Sequence, residues 1–274
     1  MISRIIVIGD SHLVPLKQLV DSVHNNPNLE FEFVPVRFLQ SYSKQLDDCF
    51  SDNSIFFKRQ FGTKVKQFYG AGGIAESETP SEVVQLPLDG SYVFLVGLGL
   101  GADALMRNFS DENRLNNENC VQLPWILSQV ISTAPQNHTH AIYSDHFIKY
   151  LMSLAITKSY SFKVYSALRA LNFNCIKMIP LPLIRFSSAC YYAQDSLDPS
   201  FQQNILKLIE CWYSLLCENP DVISILDLVP IEYREGNFFL NEAKSYSQSN
   251  TDIHMSPDAC MSTYELMLSF CSEG

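Results

Sequence analysis

The chain has 274 residues, 47% of them hydrophobic and 18% charged, which suits one large globular domain or one domain with an insertion. Nineteen Lys and Arg against 29 Asp and Glu give a net charge of -10, which argues against a nucleic-acid partner and against an anionic membrane surface. No stretch reaches the roughly 18 uninterrupted apolar residues of a membrane span.

The apolar run Arg4 to Ile8 predicts a first, buried strand. It is too short for a secretion signal and leads straight into Gly9-Asp10-Ser11-His12, so a cytoplasmic protein is expected. Leu13 to His24 carries Leu16, Leu19, Val20 and Val23 at helical spacing. Further strands are predicted at Phe31 to Val36, Val65 to Tyr69, Tyr92 to Val96, Cys175 to Ile179 and Val222 to Leu226. Several are too continuously apolar for a half-exposed strand, so the sheet is expected to be covered on both faces. About 75 residues separate the strand at Tyr92 from that at Cys175, far beyond a usual crossover. Residues 110–171 are therefore read as a helical insertion or lid within a single domain spanning 1–274. Asp111 to Asn119 and Glu242 to Thr251 are polar loops. Pro199 to Cys217 and Asp258 to Phe270 are helical, the latter with Pro257 at its start. Alternating strands and helices imply an α/β fold with a central parallel sheet of about five strands.

The eight cysteines are scattered without a Cys-x-x-Cys pair, which reads as thiols and neither a disulfide frame nor a zinc site. His138, His140 and His146, with Asp145, have residue types that suit zinc, but their spacing matches no ligand pattern. No metal and no cofactor is expected. Gly97-x-Gly99-x-Gly101 has the wrong spacing for a dinucleotide loop and follows a late strand, so close packing at a strand end is preferred.

In open parallel sheets, sites form at the carboxyl ends of strands. Four such places carry chemistry here: Gly9-Asp10-Ser11-His12, Tyr69-Gly70-Ala71-Gly72-Gly73, Gly97-Leu98-Gly99-Leu100-Gly101-Ala102-Asp103, and Asp252-Ile253-His254-Met255-Ser256-Pro257. A serine between a strand and a helix is well placed as a nucleophile, because helix N-terminal amides stabilise negative charge beside it. The plain alternative is a helix N-cap. Asp10 reads as a residue that stabilises the turn or the helix N-terminus, His12 as a pocket or exposed residue, and Asp10, His12 and Gly72 are candidate pocket residues.

These four blocks, in this order, resemble the SGNH hydrolase superfamily, the GDSL-type esterases and lipases. The resemblance spans most of the chain through block order, and the short blocks alone carry it. It implies a three-layer α/β/α, flavodoxin-like fold with the insertion after the fourth strand. It implies Ser11 as nucleophile, His254 as base and Asp252 as the residue that orients it. The implied oxyanion hole comprises the Ser11 N–H, Gly73 (with Gly72 beside it) and Gly101. Two departures stand out. The family's third block reads Gly-x-Asn-Asp, and Gly101 occupies the asparagine's place. Its last block reads Asp-x-x-His, whereas this chain has Asp252-x-His254, with Thr251 where the aspartate belongs. Losing one oxyanion donor costs about 3–4 kcal/mol, or 10²–10³ in rate.

The resemblance implies ester hydrolysis on a small-molecule or saccharide O-acyl ester. The same serine would serve an O-acyltransferase, and a catalytically silent relative would be a binding protein. A flavodoxin-like nucleotide-binding domain is a further alternative.

Overall fold

The structure, a computed structural model, describes residues 4–60, 80–98, 100, 145–180, 210–229, 234–235, 239–240 and 255–272. The chain divides into two compact units. One comprises Met1–Leu98, Tyr160–Pro180 and His254–Gly274, and the other Gly99–Ser159 and Leu181–Ile253.

The first unit is α/β. Its parallel sheet is built from β1 (Arg4–Gly9), β2 (Glu30–Pro35), β6 (Ser91–Val96) and β7 (Ile176–Ile179), in the order β2-β1-β6-β7. Gly9 is in register with Pro35 on one side and Val96 on the other. Ile5, Ile6, Val7 and Ile8 are fully buried, as are Val93, Phe94 and Leu95. Unbroken apolar runs of this kind are what a central strand covered on both faces requires. The expected strand at Val65 to Tyr69 lies outside the described residues.

Helix α1 (Leu13–Val23) returns antiparallel to the strands. Leu13 reaches the end of β1 at Gly9, Lys17 stacks its ammonium over Phe33, and His24 meets Phe31 at the start of β2. His24 is held at both ring nitrogens, Nδ1 by the Tyr264 hydroxyl at 3.0 Å and Nε2 by the Leu29 carbonyl at 2.8 Å. This ties α1 to α6 (Pro257–Ser272), against which it packs. Between them in the chain, α2 (Val36–Tyr42) follows directly on β2.

A second sheet was not foreseen from the sequence. A 3-10 turn at Leu46–Cys49 leads into β3 (Phe50–Ser51), β4 (Ser54–Gln60) and β5 (Ser81–Pro87), which pair antiparallel in that order. Asp52 and Asn53 join β3 to β4, both at positive φ (49° and 52°). Two left-handed residues in a two-residue loop make the turn that matches strand twist, and Asp and Asn tolerate it best after glycine. The sheet packs on α2 through the stacked pairs Phe38–Phe57 and Tyr42–Phe56. Arg59 of β4 pairs with Glu32 of β2 and Glu82 of β5, which links the two sheets.

Helix α3 (Asp145–Lys158) belongs to the second unit and α4 (Tyr160–Ala170) to the first. The unit boundary thus falls inside the stretch read as one insertion, 110–171. In the second unit, Trp212, Tyr213 and Leu216 of the helical segment 210–216 are buried, and the Trp212 indole donates to the Leu100 carbonyl at 2.8 Å. The expected strand at Val222 to Leu226 is instead a single bridge residue, Val222, two residues outside regular structure, and the start of helix α5 (Ile225–Leu228). The cause is local: Asn219 Oδ1 accepts the Asp221 N–H, and the Ser224 carbonyl accepts the Asp227 and Leu228 N–H groups. A five-residue apolar run does not by itself distinguish strand from helix. Two short strands, β8 (Arg234–Glu235) and β9 (Phe239–Leu240), pair antiparallel.

The last helix, α6, starts sharply. Ser256 Oγ accepts the Ala259 N–H at 3.2 Å, Pro257 fills the first helical position, and Asp258 follows in the first turn. Ser256 is buried, so its cap is shielded from water. Ser256→Ala is expected to lower stability by about 1 kcal/mol, seen as a lower urea midpoint with an unchanged slope.

Candidate functional site

The site rests on the topology of the parallel sheet. From β1 the chain moves outward to β2, then returns to β6 on the other side of β1. The strand order reverses between β1 and β6, and in open α/β sheets ligands bind at the carboxyl ends of the strands at such a point. Gly9 and Val96 are register partners at that edge. Gly9-Asp10-Ser11-His12 and Gly97-Leu98 therefore face each other across the reversal point.

Asp10 joins the two. Its Oδ1 accepts the His12 N–H at 3.1 Å, and its Oδ2 accepts the Leu98 N–H at 3.1 Å. The Leu98 turn is unusual. Gly97 has φ 75° and Leu98 φ 57°, so a leucine occupies the left-handed region. Such a conformation is disfavoured for a non-glycine residue by roughly 1–2 kcal/mol. The turn persists because all four of its backbone polar groups are engaged. The Gly97 N–H donates to the Ile179 carbonyl at 3.2 Å, and the Leu98 N–H to Asp10. The fully buried Ser161 of α4 donates its hydroxyl to the Gly97 carbonyl at 3.2 Å and its N–H to the Leu98 carbonyl at 3.3 Å.

Ser11 is half-buried at the mouth of α1. Its carbonyl accepts the Val14 N–H at 3.3 Å, and the Asp10 carbonyl accepts the Leu13 N–H at 3.1 Å. The residue before α1 is His12, which has helical backbone angles and makes no side-chain cap. Among the described residues neither the Ser11 hydroxyl nor the Ser11 N–H makes a hydrogen bond. The N-cap alternative for Ser11 is therefore not the arrangement found, since the Leu13 and Val14 amides are taken by backbone carbonyls. The first turn of α1 carries no acidic residue, so its amide dipoles face the Ser11 side of the turn unopposed from within the helix. The His12 ring is fully buried, with Nε2 4.0 Å from Asp10 Oδ1. It is not a surface histidine.

Asp252 and His254 lie outside the described residues, as do Gly72, Gly73 and Gly101. Immediately after His254, Met255 is buried and Ser256 caps α6. His138 and His140 also lie outside the described residues, and His146 is exposed on α3. Among the described residues no three His, Cys, Asp or Glu side chains are grouped to hold a metal ion, and no helix is long and apolar enough to cross a membrane. What the sequence reading missed is the Leu98 turn and its anchor Ser161. The available signal was a lone leucine between two glycines after a buried strand, a place where left-handed backbone is common.

Among the described residues the fully buried thiols, Cys49 and Cys260, offer no rival nucleophile. Burial, with the Asp48 charge adding to it, pushes Cys49 up to about 11, and burial pushes Cys260 up to about 12. Both stay protonated at neutral pH, and the thiolate is the reactive form. A disulfide-exchange reagent at pH 8 is expected to leave Cys49 and Cys260 unmodified in the native protein while labelling the exposed Cys175 and Cys217, as read by peptide mapping. The raised values also carry a stability sign. The folded state holds these protons more tightly than the unfolded chain, whose thiols titrate near 9, so the stabilisation is complete below that pH. It is lost as pH rises from 9 toward 11 and 12.

Compared with known proteins, the chain matches no family model, no curated protein and no solved structure.

Proposed function

We propose that this protein is a serine-dependent ester hydrolase of the SGNH type, acting on a carbohydrate or small-molecule O-acyl ester. The observation that carries the reading is the state of Ser11. A half-buried serine stands at the reversal point of a parallel sheet, beside a helix N-terminus, and the first-turn amides its hydroxyl could have capped are taken by the backbone carbonyls of Asp10 and Ser11. A hydroxyl with no structural task, at the place where α/β sheets bind ligands, is a candidate nucleophile.

In the proposed mechanism His254 takes the Ser11 proton as Oγ attacks the ester carbonyl. Asp252, or a backbone carbonyl, orients the imidazole. The Ser11 N–H holds the developing oxyanion together with Gly73 and Gly101. Collapse of the tetrahedral intermediate expels the alcohol, which takes its proton from His254, and leaves Ser11 acylated. Water then attacks the acyl-enzyme, giving up a proton to His254; the acyl–Oγ bond breaks, His254 returns that proton to Ser11 Oγ, and the acid leaves. Transfer of the acyl group to a second hydroxyl would make the same site an O-acyltransferase.

One observation favours a silent binding protein instead. The third block lacks its asparagine, and the amides of Gly97 and Leu98 are already engaged, so that turn offers no substitute donor there. A fluorophosphonate probe separates the two readings. The esterase reading expects covalent labelling that maps to Ser11, blocked by Ser11→Ala and slowed by His254→Ala. Absence of labelling at Ser11, with binding of saccharide esters retained, would establish the silent alternative.

A further inference from the structure

Resting on the reading above, we infer that Asp10 is a positioning residue: its carboxylate staples the Ser11 turn to the left-handed Leu98 turn, and through that staple sets where the nucleophile stands. The two oxygens divide the work. Oδ1 binds the His12 N–H in the nucleophile's own turn, and Oδ2 binds the Leu98 N–H across the sheet reversal point. Leu98 sits at φ 57°, which a leucine adopts only when its surroundings hold it there. The Leu98 N–H is the one polar group of that turn whose partner is a side chain of the nucleophile block. The conformation of one strand end is thus tied to the identity of a residue on the other. The staple also decides which amides face the reaction. It consumes those of His12 and Leu98 and leaves the Ser11 N–H, which makes no hydrogen bond among the described residues, as the donor for an oxyanion.

The chemistry separates this role from a plain charge effect. Asparagine at position 10 keeps one acceptor oxygen, enough for the His12 N–H, but presents an NH₂ group where the Leu98 N–H needs an acceptor. Glycine at position 98 adopts positive φ without a Cβ penalty, so the turn no longer depends on the staple. If Asp10 acts through the Leu98 turn, Leu98→Gly makes Asp10→Asn less damaging. If Asp10 acts through its charge on Ser11 or a nearby imidazole, Leu98→Gly changes nothing.

The test is a double-mutant cycle with wild type, Asp10→Asn, Leu98→Gly and the double variant, using two readouts. The first is amide hydrogen exchange at Leu98 and His12 by NMR, which requires no activity. Asp10→Asn is expected to speed Leu98 exchange roughly ten-fold or more while His12 changes less. The second is p-nitrophenyl acetate hydrolysis below the unfolding transition, where a misplaced nucleophile lowers kcat by roughly 10- to 100-fold and leaves KM unchanged. That loss is expected to shrink in the Leu98→Gly background. Unchanged Leu98 exchange in Asp10→Asn, or an equal kcat loss in both backgrounds, overturns the inference. If the wild-type protein hydrolyses no ester, the esterase reading fails, and the exchange readout still decides whether the staple exists.

Discussion

Replacing Ser11 by alanine is expected to abolish ester hydrolysis and leave the fold intact. The proposed reaction has no other nucleophile, and removing a catalytic serine in a Ser-His site lowers kcat by roughly 10³- to 10⁶-fold. The structural side of the expectation comes from the hydroxyl's surroundings. Ser11 Oγ makes no hydrogen bond among the described residues, the residue is half-buried, and its backbone groups keep their roles in the first turn of α1. A substitution of that kind changes stability by about 0.5 kcal/mol or less. Hydrolysis of p-nitrophenyl acetate gives the activity, and urea unfolding of the same preparation gives the stability. Equal rates for wild type and Ser11→Ala reject Ser11 as nucleophile. A large loss of stability would show instead that the serine is structural, and any activity loss would then follow from unfolding.

The sequence was informative where one physical pattern dominated. The runs Ile5 to Ile8 and Val93 to Val96, each bounded by glycine and continuously apolar, were read as buried strands and are so, and their ends mark the sheet's reversal point. Pro257 and Asp258 announced α6 because proline and first-turn geometry are local, while the Ser256 cap was not foreseen. The antiparallel sheet was missed for the opposite reason. Ser54 to Gln60 mixes Phe, Lys and Arg, and its pairing with Ser81–Pro87 depends on partners far along the chain. Its hairpin turn, Asp52-Asn53, lacks the glycine that makes such turns conspicuous. At the site, Asp10 was read correctly as a turn residue, but its second partner was not foreseen. A bond between Asp10 and Leu98, 88 residues apart, exists only because β1 and β6 are neighbours in the sheet.

Gly9→Ala is expected to produce the reverse of the Ser11 result, a protein that loses stability first and activity as a consequence. Gly9 ends β1, and a Cβ added there would lie 2.7 Å from Leu13 Cδ2, 2.9 Å from Leu13 Cγ and 2.8 Å from the Val96 carbonyl oxygen. The leucine is fully buried and has little room to yield, and the carbonyl belongs to the backbone of β6, the neighbouring central strand. Relief therefore requires the strand ends to separate or α1 to move off the sheet. Overpacking of this kind costs about 3 kcal/mol, at the upper end of the usual range. The urea midpoint should fall with little change in slope. Truncating the side chain tests the mechanism: in a Leu13→Ala background the added cost of Gly9→Ala should shrink but persist, because the contact with the Val96 carbonyl remains. Complete relief by Leu13→Ala would mean that the strand ends tolerate a methyl group, so that glycine serves helix packing alone. Persistence of a cost would tie the same residue to both the approach of α1 and the closure of β1 on β6. That closure brings Asp10 within reach of the Leu98 amide. Any wild-type kcat retained by the folded fraction of Gly9→Ala would then set an upper limit on how far the strand ends can move before Ser11 is misplaced.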